Sequence, residues 1–273
     1  MPTRMLRDVR VYLSGPMGAG KSSVAGHVAR RLGTRAVDLD AEVERLAGCS
    51  VPEIFAERGE ATFRNLEKEA LQGLPADAGV VSLGGGTVVD EGTRQTLLRD
   101  GILVTLSARP EVLAKRVGNG RGRPLLGPDP RSSLARIVAS RAVAYAEAHA
   151  VIDTEELDPI EVAEDVVAVR NIQPIVVPLG LRTYRVEVGR GVRHRLGQRA
   201  AEHADGDSVL VFDGESDRPW PQEAISDLTL AAKPPIEVKL LGDEAHKTIE
   251  SVERIWDTAL EAGVDRRAIV IGL

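Results

Sequence analysis

The residues with the clearest capacity for chemistry lie in Gly15-Pro-Met-Gly-Ala-Gly-Lys-Ser22, which meets every fixed position of the pattern G-x-x-x-x-G-K-[ST]. A glycine-rich turn between a strand and a helix aims backbone N–H groups and the positive helix end at phosphates, while the lysine adds a charge and the hydroxyl a ligand for Mg²⁺. Gly18, Ala19, Gly20, Lys21, Ser22 and Ser23 are therefore expected to hold a nucleotide, with Lys21 assisting transfer and Ser22 on the metal. The second group is Asp38-Leu-Asp40. Alternation along a strand would send both carboxylates to one side at the carboxyl end of a sheet, where ligands bind in open α/β folds. Asp38 is expected in the Mg²⁺ shell through water, and Asp40 on an acceptor hydroxyl that it binds and deprotonates. A rival reading makes Asp40 only the cap of a helix running from Ala41. Gly84-Gly-Gly86 would let a ligand approach the backbone closely. Arg64, Arg123 and Arg141 each read alone as solvated charges; together they offer guanidinium forks for a carboxylate and a cation for a migrating phosphoryl group.

The elements that must position these residues follow from the apolar pattern. Val9–Ser14 reads as a buried strand, and Val24, Ala25, Val28, Ala29 and Leu32 then recur at helical spacing. As far as Arg170, short apolar strands alternate with amphipathic helices, which predicts an α/β domain with a mostly parallel sheet flanked by helices. Candidate strands are Arg10–Leu13, Ala36–Asp38, Val80–Leu83, Ile102–Leu106 and Val151–Ile152. Ser50-Val-Pro-Glu53 and Asp158-Pro-Ile-Glu161 mark helix starts. Gly118–Pro130, rich in Gly and Pro, interrupts the rhythm and reads as a lid that carries Arg121 and Arg123. A second domain, residues 171–273, is expected to begin at Asn171-Ile-Gln-Pro174, with strands at Tyr184–Val188, Ser208–Phe212, Ile236–Leu240 and Ala268–Ile271 and a long helix at Lys247–Ala262. It reads as a partial α/β nucleotide-binding unit whose unfinished sheet would expose an edge and promote association.

Composition narrows the class of partner. Among 273 residues, 35 Lys and Arg stand against 41 Asp and Glu, a net charge of −6. That balance argues against nucleic-acid or membrane partners and for a small-molecule substrate. The single cysteine, Cys49, excludes an intrachain disulfide. With no run of about 18 apolar residues and no apolar core of a secretory signal near Met1, a soluble cytoplasmic protein is expected.

Six segments in order, Gly15–Ser23, Asp38-Leu-Asp40, Phe63-Arg-Asn-Leu-Glu67, Gly84-Gly-Gly86, Arg123-Pro-Leu-Leu126 and Arg141-Ala-Val-Ala-Tyr145, resemble those of the shikimate kinases. The resemblance covers residues 1 to about 170 and implies a P-loop kinase domain. It also implies a reaction, transfer of the γ-phosphoryl group of ATP, with Mg²⁺, to the 3-hydroxyl of shikimate in chorismate and aromatic amino acid biosynthesis. By that resemblance Asp40, Arg64, Gly85 and Arg141 bind shikimate, with the two arginines on its carboxylate and Asp40 on its ring hydroxyls. Gly18 to Ser23 hold ATP, Ser22 ligates Mg²⁺, Arg116 lies against the adenine, and Arg123 closes over the phosphates. Glu67 orients an arginine. On the residues alone, a kinase for another hydroxyl compound such as gluconate, or a non-catalytic nucleotide-binding scaffold, stays open.

The second domain resembles the beginning of 3-dehydroquinate synthase in Tyr184-Arg-Val-Glu-Val-Gly189, the strand leading to Asp213, and Gly242-Asp-Glu-Ala-His-Lys247. That resemblance implies NAD contacts from Asp213, Glu244 and Lys247, and a multifunctional chain. Asp243 stands where that family has glycine, and the family's glycine-rich pyrophosphate loop and catalytic residues belong beyond Ile271-Gly-Leu273. The expectation is no synthase activity and weak NAD affinity at best.

Overall fold

The computed structural model describes residues 9–118, 129–188, 192–203, 207–215, 217–231 and 233–273. Two compact units divide the chain, one through Glu187 and one from Val188. The strands of the first are β1 (Arg10–Ser14), β2 (Arg35–Asp38), β3 (Ala78–Ser82), β4 (Gly101–Ser107) and β5 (Ala150–Asp153). Among the described residues they form a five-stranded parallel sheet in the order β2-β3-β1-β4-β5. Its helices are α1 (Lys21–Leu32), α2 (Leu39–Ala47), α3 (Val51–Glu57), α4 (Gly59–Gln72), α5 (Glu91–Asp100), α6 (Pro110–Val117), α7 (Pro130–Ser140), α8 (Ala142–Ala146) and α9 (Pro159–Ile172).

Helices on both faces explain why the strands are continuous apolar runs and do not alternate. Val11, Leu13, Val80 and Val104 pack with Val24 and Val28 of α1 and Val162 and Val166 of α9. On the other face, Tyr12, Val81, Leu83 and Leu103 pack with Leu39 and Val43 of α2, Phe63 of α4 and Tyr145 of α8. The core thus pins each helix over the sheet and leaves the carboxyl ends of the strands for the loops.

Local chemistry sets the helix starts. Glu53 accepts the Ser50 amide at 2.7 Å, and Asp158 accepts the amides of Ile160 and Glu161 at 2.7 and 2.9 Å. At the end of β2 the structure differs from the expected alternation. Asp38 Oδ1 accepts the Asp40 amide at 3.1 Å, so the helix begins at Leu39 and its cap is Asp38. Asp40 consequently sits in the first turn of α2, and its carboxylate is spared the capping role.

The domain boundary also differs from the expected one near Asn171. Beyond α9 the chain forms β6 (Ile175–Val177) and β7 (Tyr184–Val186), an antiparallel pair joined through a 3₁₀ turn at Gly180–Arg182, and these belong to the first unit. The reason is hydrogen bonding to the main chain: Arg185 donates to the carbonyls of Ala146 and Ala148, at 2.8 and 3.0 Å. The second unit, described by itself, has β8 (Ser208–Asp213), β9 (Ile236–Leu240) and β10 (Ile269–Gly272) in a parallel sheet ordered β10-β8-β9, with α10 (Leu196–His203), α11 (Trp220–Ala231) and α12 (Ile249–Glu261). Among the described residues, no helix is long and apolar enough to cross a membrane.

Candidate active site

The sheet order puts β1 in the middle, so the loop that follows it opens at the centre of the carboxyl edge. Gly15, Gly18 and Gly20 take φ of 131°, 85° and 89°. A Cβ on Gly15 would stand 2.1 Å from the Leu106 carbonyl oxygen, so glycine is required where the loop passes the end of β4. Gly20 caps α1 without a side-chain hydrogen bond. The first-turn amides of α1 and the positive helix end thus remain available to an anion. Lys21 Nζ turns back on its own loop, donating to the carbonyls of Gly15 and Pro16 at 2.9 and 3.1 Å. Ser22 Oγ donates to Asp38 Oδ2 at 2.7 Å and lies 3.3 Å from Ser82 Oγ. These hard oxygen donors fit Mg²⁺, which takes few protein ligands and keeps water in the rest of its shell.

On the β2–β3 side stands a carboxylate group. Asp40 Oδ1 is buried with no hydrogen-bond partner. Its pKa is pushed up to about 6, first by burial and then by the charges of Asp38 and Glu67, against the opposing pull of Lys21. Glu67, only 2% exposed, divides its oxygens between Arg64 Nη1 at 2.5 Å and Thr87 Oγ1 at 2.6 Å. Arg64 also reaches Glu60 Oε1 at 2.9 Å; burial works against its charge, but Glu67 and Glu60 outweigh that and raise its pKa. The glycine triplet makes this packing achievable, since a Cβ on Gly84 would meet Glu67 and Asp40 oxygens at 2.7 and 2.9 Å, and one on Gly86 would meet Arg64 at 2.4 Å. Arg141, at the junction of α7 and α8, donates to the Gly85 carbonyl at 2.8 Å, and Tyr145 Oη donates to the same oxygen at 2.7 Å.

Gly18, Ala19, Gly20, Lys21, Ser22, Ser23, Asp38, Asp40, Arg64, Gly85, Arg116 and Arg141 all line one cleft of about 760 Å³. Arg116, on α6 at the β4–β5 side, donates to Thr154 Oγ1 and its carbonyl at 2.9 and 2.5 Å. Arg123 and Arg121 lie outside the described residues. Asp213 ends β8 in the second unit, beside Gly242, and Lys247 pairs with Glu244 ahead of α12. Four cleft or cleft-adjoining residues escaped the sequence reading: Ser82, Thr87, Tyr145 and Thr154. Two left a signal, because Thr87 directly follows the glycine triplet and Tyr145 is one helical turn beyond Arg141.

The cleft therefore combines a phosphate cradle, oxygen ligands for a hard cation, a carboxylate poised near neutral pH, and the guanidinium groups of Arg64, Arg116 and Arg141. That set suits transfer of a phosphoryl group to a hydroxyl on a small anion.

The family model described as shikimate kinase matches residues 17–170. A shikimate kinase of Streptomyces coelicolor is 41% identical over 156 residues, covering 56% of this chain and 91% of the relative. One from Synechococcus is 40% identical over 164 residues, covering 59% and 87%. Among solved structures, shikimate kinase from Acinetobacter baumannii in complex with shikimate superposes with a TM-score of 0.56 at 35% identity, covering 58% of this chain and 90% of the other.

Proposed function

This chain belongs to the shikimate kinase family, whose members are ATP-dependent kinases with an alcohol acceptor, and from that premise we propose that it phosphorylates the 3-hydroxyl of shikimate, giving 3-phosphoshikimate and ADP. The observation that carries the reading is the union in one cleft of the phosphate loop with Asp40, Arg64 and Arg141. In this reading the loop amides from Gly18 to Ser23 and Lys21 bind the phosphates of ATP, and Arg116 borders the adenine. Ser22 and Asp38 would hold Mg²⁺, whose charge would offset that of the phosphates. Arg64 and Arg141 grip the acceptor carboxylate, with the Gly85 backbone beneath the ring. Asp40, the unpartnered carboxylate, accepts the proton of the attacking hydroxyl, whose oxygen bonds to the γ-phosphorus as the bond to the ADP oxygen breaks. Arg123 adds a cation to the migrating group, and Arg123→Ala should lose most of the turnover with lesser damage to shikimate binding.

The test is ADP release from ATP and Mg²⁺ with a panel of hydroxyl acceptors, run on the full chain and on Asp40→Asn. Shikimate-dependent release that vanishes in the variant is the expected result. Preference for gluconate, or ATP binding with no acceptor-dependent release, overturns the assignment. In the second unit we assign Asp213, Glu244 and Lys247 to weak NAD contacts, on the resemblance of their segments. Calorimetric titration with NAD checks this, and submicromolar binding counts against it.

A further inference from the structure

We propose that the strap Ile175–Val186, formed by β6 and β7, is a positioning part of the acceptor site, holding α8 and its Arg141 and Tyr145 against the Gly84–Gly86 turn. This rests on reading Arg141 and Gly85 as acceptor-binding residues. The strap lies beyond the residues that match the family model, which end at 170.

The need for a brace begins with α8 itself. At five residues, Ala142–Ala146, it is too short to hold its place by its own hydrogen bonds. Its last carbonyls have no further helical turn to satisfy them. Arg185 supplies donors there, to Ala146 and Ala148. Glu147, at the end of α8 and 7% exposed, splits its carboxylate between two donors. Arg94 Nε donates to Oε2 at 2.7 Å, and the Gly180 amide of the strap donates to Oε1 at 3.0 Å. Arg94, itself 6% exposed, uses Nη1 on the Val88 carbonyl at 2.7 Å, two residues past the glycine triplet.

These bonds close a circuit. It starts at the Gly85 carbonyl, runs through Arg141 and Tyr145 into α8, passes from Glu147 to Arg94, and returns through Val88 to the glycine turn. The strap enters this circuit at Glu147 and at the carbonyls beside it. Without Gly180, one oxygen of a buried carboxylate would lose its donor, and such a group is costly to leave unpaired. The strap thus controls the spacing between a guanidinium and a backbone carbonyl that face the same ligand, while the phosphate loop on β1 lies outside the circuit.

The experiment uses the full chain carrying Arg185→Ala, with Arg185→Lys as the conservative variant. The expected result is a rise of about 5-fold in KM for shikimate, the equivalent of one lost hydrogen bond. Turnover and KM for ATP should stay near wild type, and Arg185→Lys should recover part of the loss. Hydrogen exchange should accelerate in residues 84–89 and 141–147 but not in 15–23. An unchanged shikimate KM in an active enzyme overturns the proposal, as does a parallel loss in shikimate KM, ATP KM and turnover. If the wild-type chain fails to phosphorylate shikimate, the proposed function falls, and exchange in the two segments alone decides the strap: no acceleration there overturns it.

Discussion

Asp40 is held where its charge is costly, at a pKa of about 6 against 3.8 for an ordinary aspartate. Because the folded state binds this proton more tightly than the unfolded chain, the ionised form destabilises the fold progressively as pH rises from about 4 through 6 and fully above that range. Asp40→Asn should therefore stabilise the ligand-free protein by about 2–3 kcal/mol at pH 7.5, and the gain should disappear below pH 4. Denaturant melts of both proteins at pH 3.5, 5.5 and 7.5, as ~2-unit steps across the titration, measure this; a gain that does not change with pH would sink it. The same substitution should lower turnover by at least ~10²-fold, and kcat/KM of the wild type should fall as pH drops below about 6, where the base takes up its proton. Stability lost and activity gained by one ionisation is the trade expected of a catalytic carboxylate. The residue types at Asp38, Asp40, Arg64, Gly85 and Arg141 were legible in the sequence as a set. Their partners were less so: Thr87 and Tyr145 are marked only by their spacing from the glycine triplet and Arg141, and the Ser82 hydroxyl, of a kind common everywhere, becomes informative only when placed.

At the scale of elements, legibility followed how local the cause was. The glycine pattern of the phosphate loop and the boxes at Ser50–Glu53 and Asp158–Glu161 depend on residues a few positions apart, and the structure has helices starting at each. The start of α2 was missed because two local tendencies compete at Asp38. Strand alternation would carry on to Asp40, while the Asp38 side chain captures the Asp40 amide and turns the backbone into a helix. The two loop glycines with the clearest contrast make a test of positional demand. At Gly15 an added Cβ would strike the Leu106 carbonyl oxygen, whereas at Gly20 nothing lies within 4 Å, although φ is 89°. Gly15→Ala should cost about 3 kcal/mol or prevent folding, and Gly20→Ala about 1 kcal/mol from backbone strain alone. Thermal melts of the two variants check the order, and equal losses would mean that the close passage of β4 is not what selects glycine.

For the whole molecule, the sequence placed the division near Asn171 because a helix ends there and a proline follows. The bonds that carry the first unit on to Glu187 join Arg185 and Gly180 to residues more than thirty positions away, and no composition shift marks them. Limited trypsin digestion of the full chain should therefore leave a first-unit fragment that runs past Arg170, because Arg170 is buried and Arg185 is engaged with main-chain carbonyls, whereas Arg182 is the exposed site in the strap. A stable product ending at Arg170 would contradict the strap's membership of the first unit. The order β2-β3-β1-β4-β5 has one more consequence. On the proposed assignment, with the phosphate loop on the central strand, the acceptor groups toward β2 and β3 and Arg116 toward β4 and β5, the two products would lie on opposite flanks of β1. Product-inhibition kinetics should then show neither product held behind the other, and a strictly ordered release would contradict this.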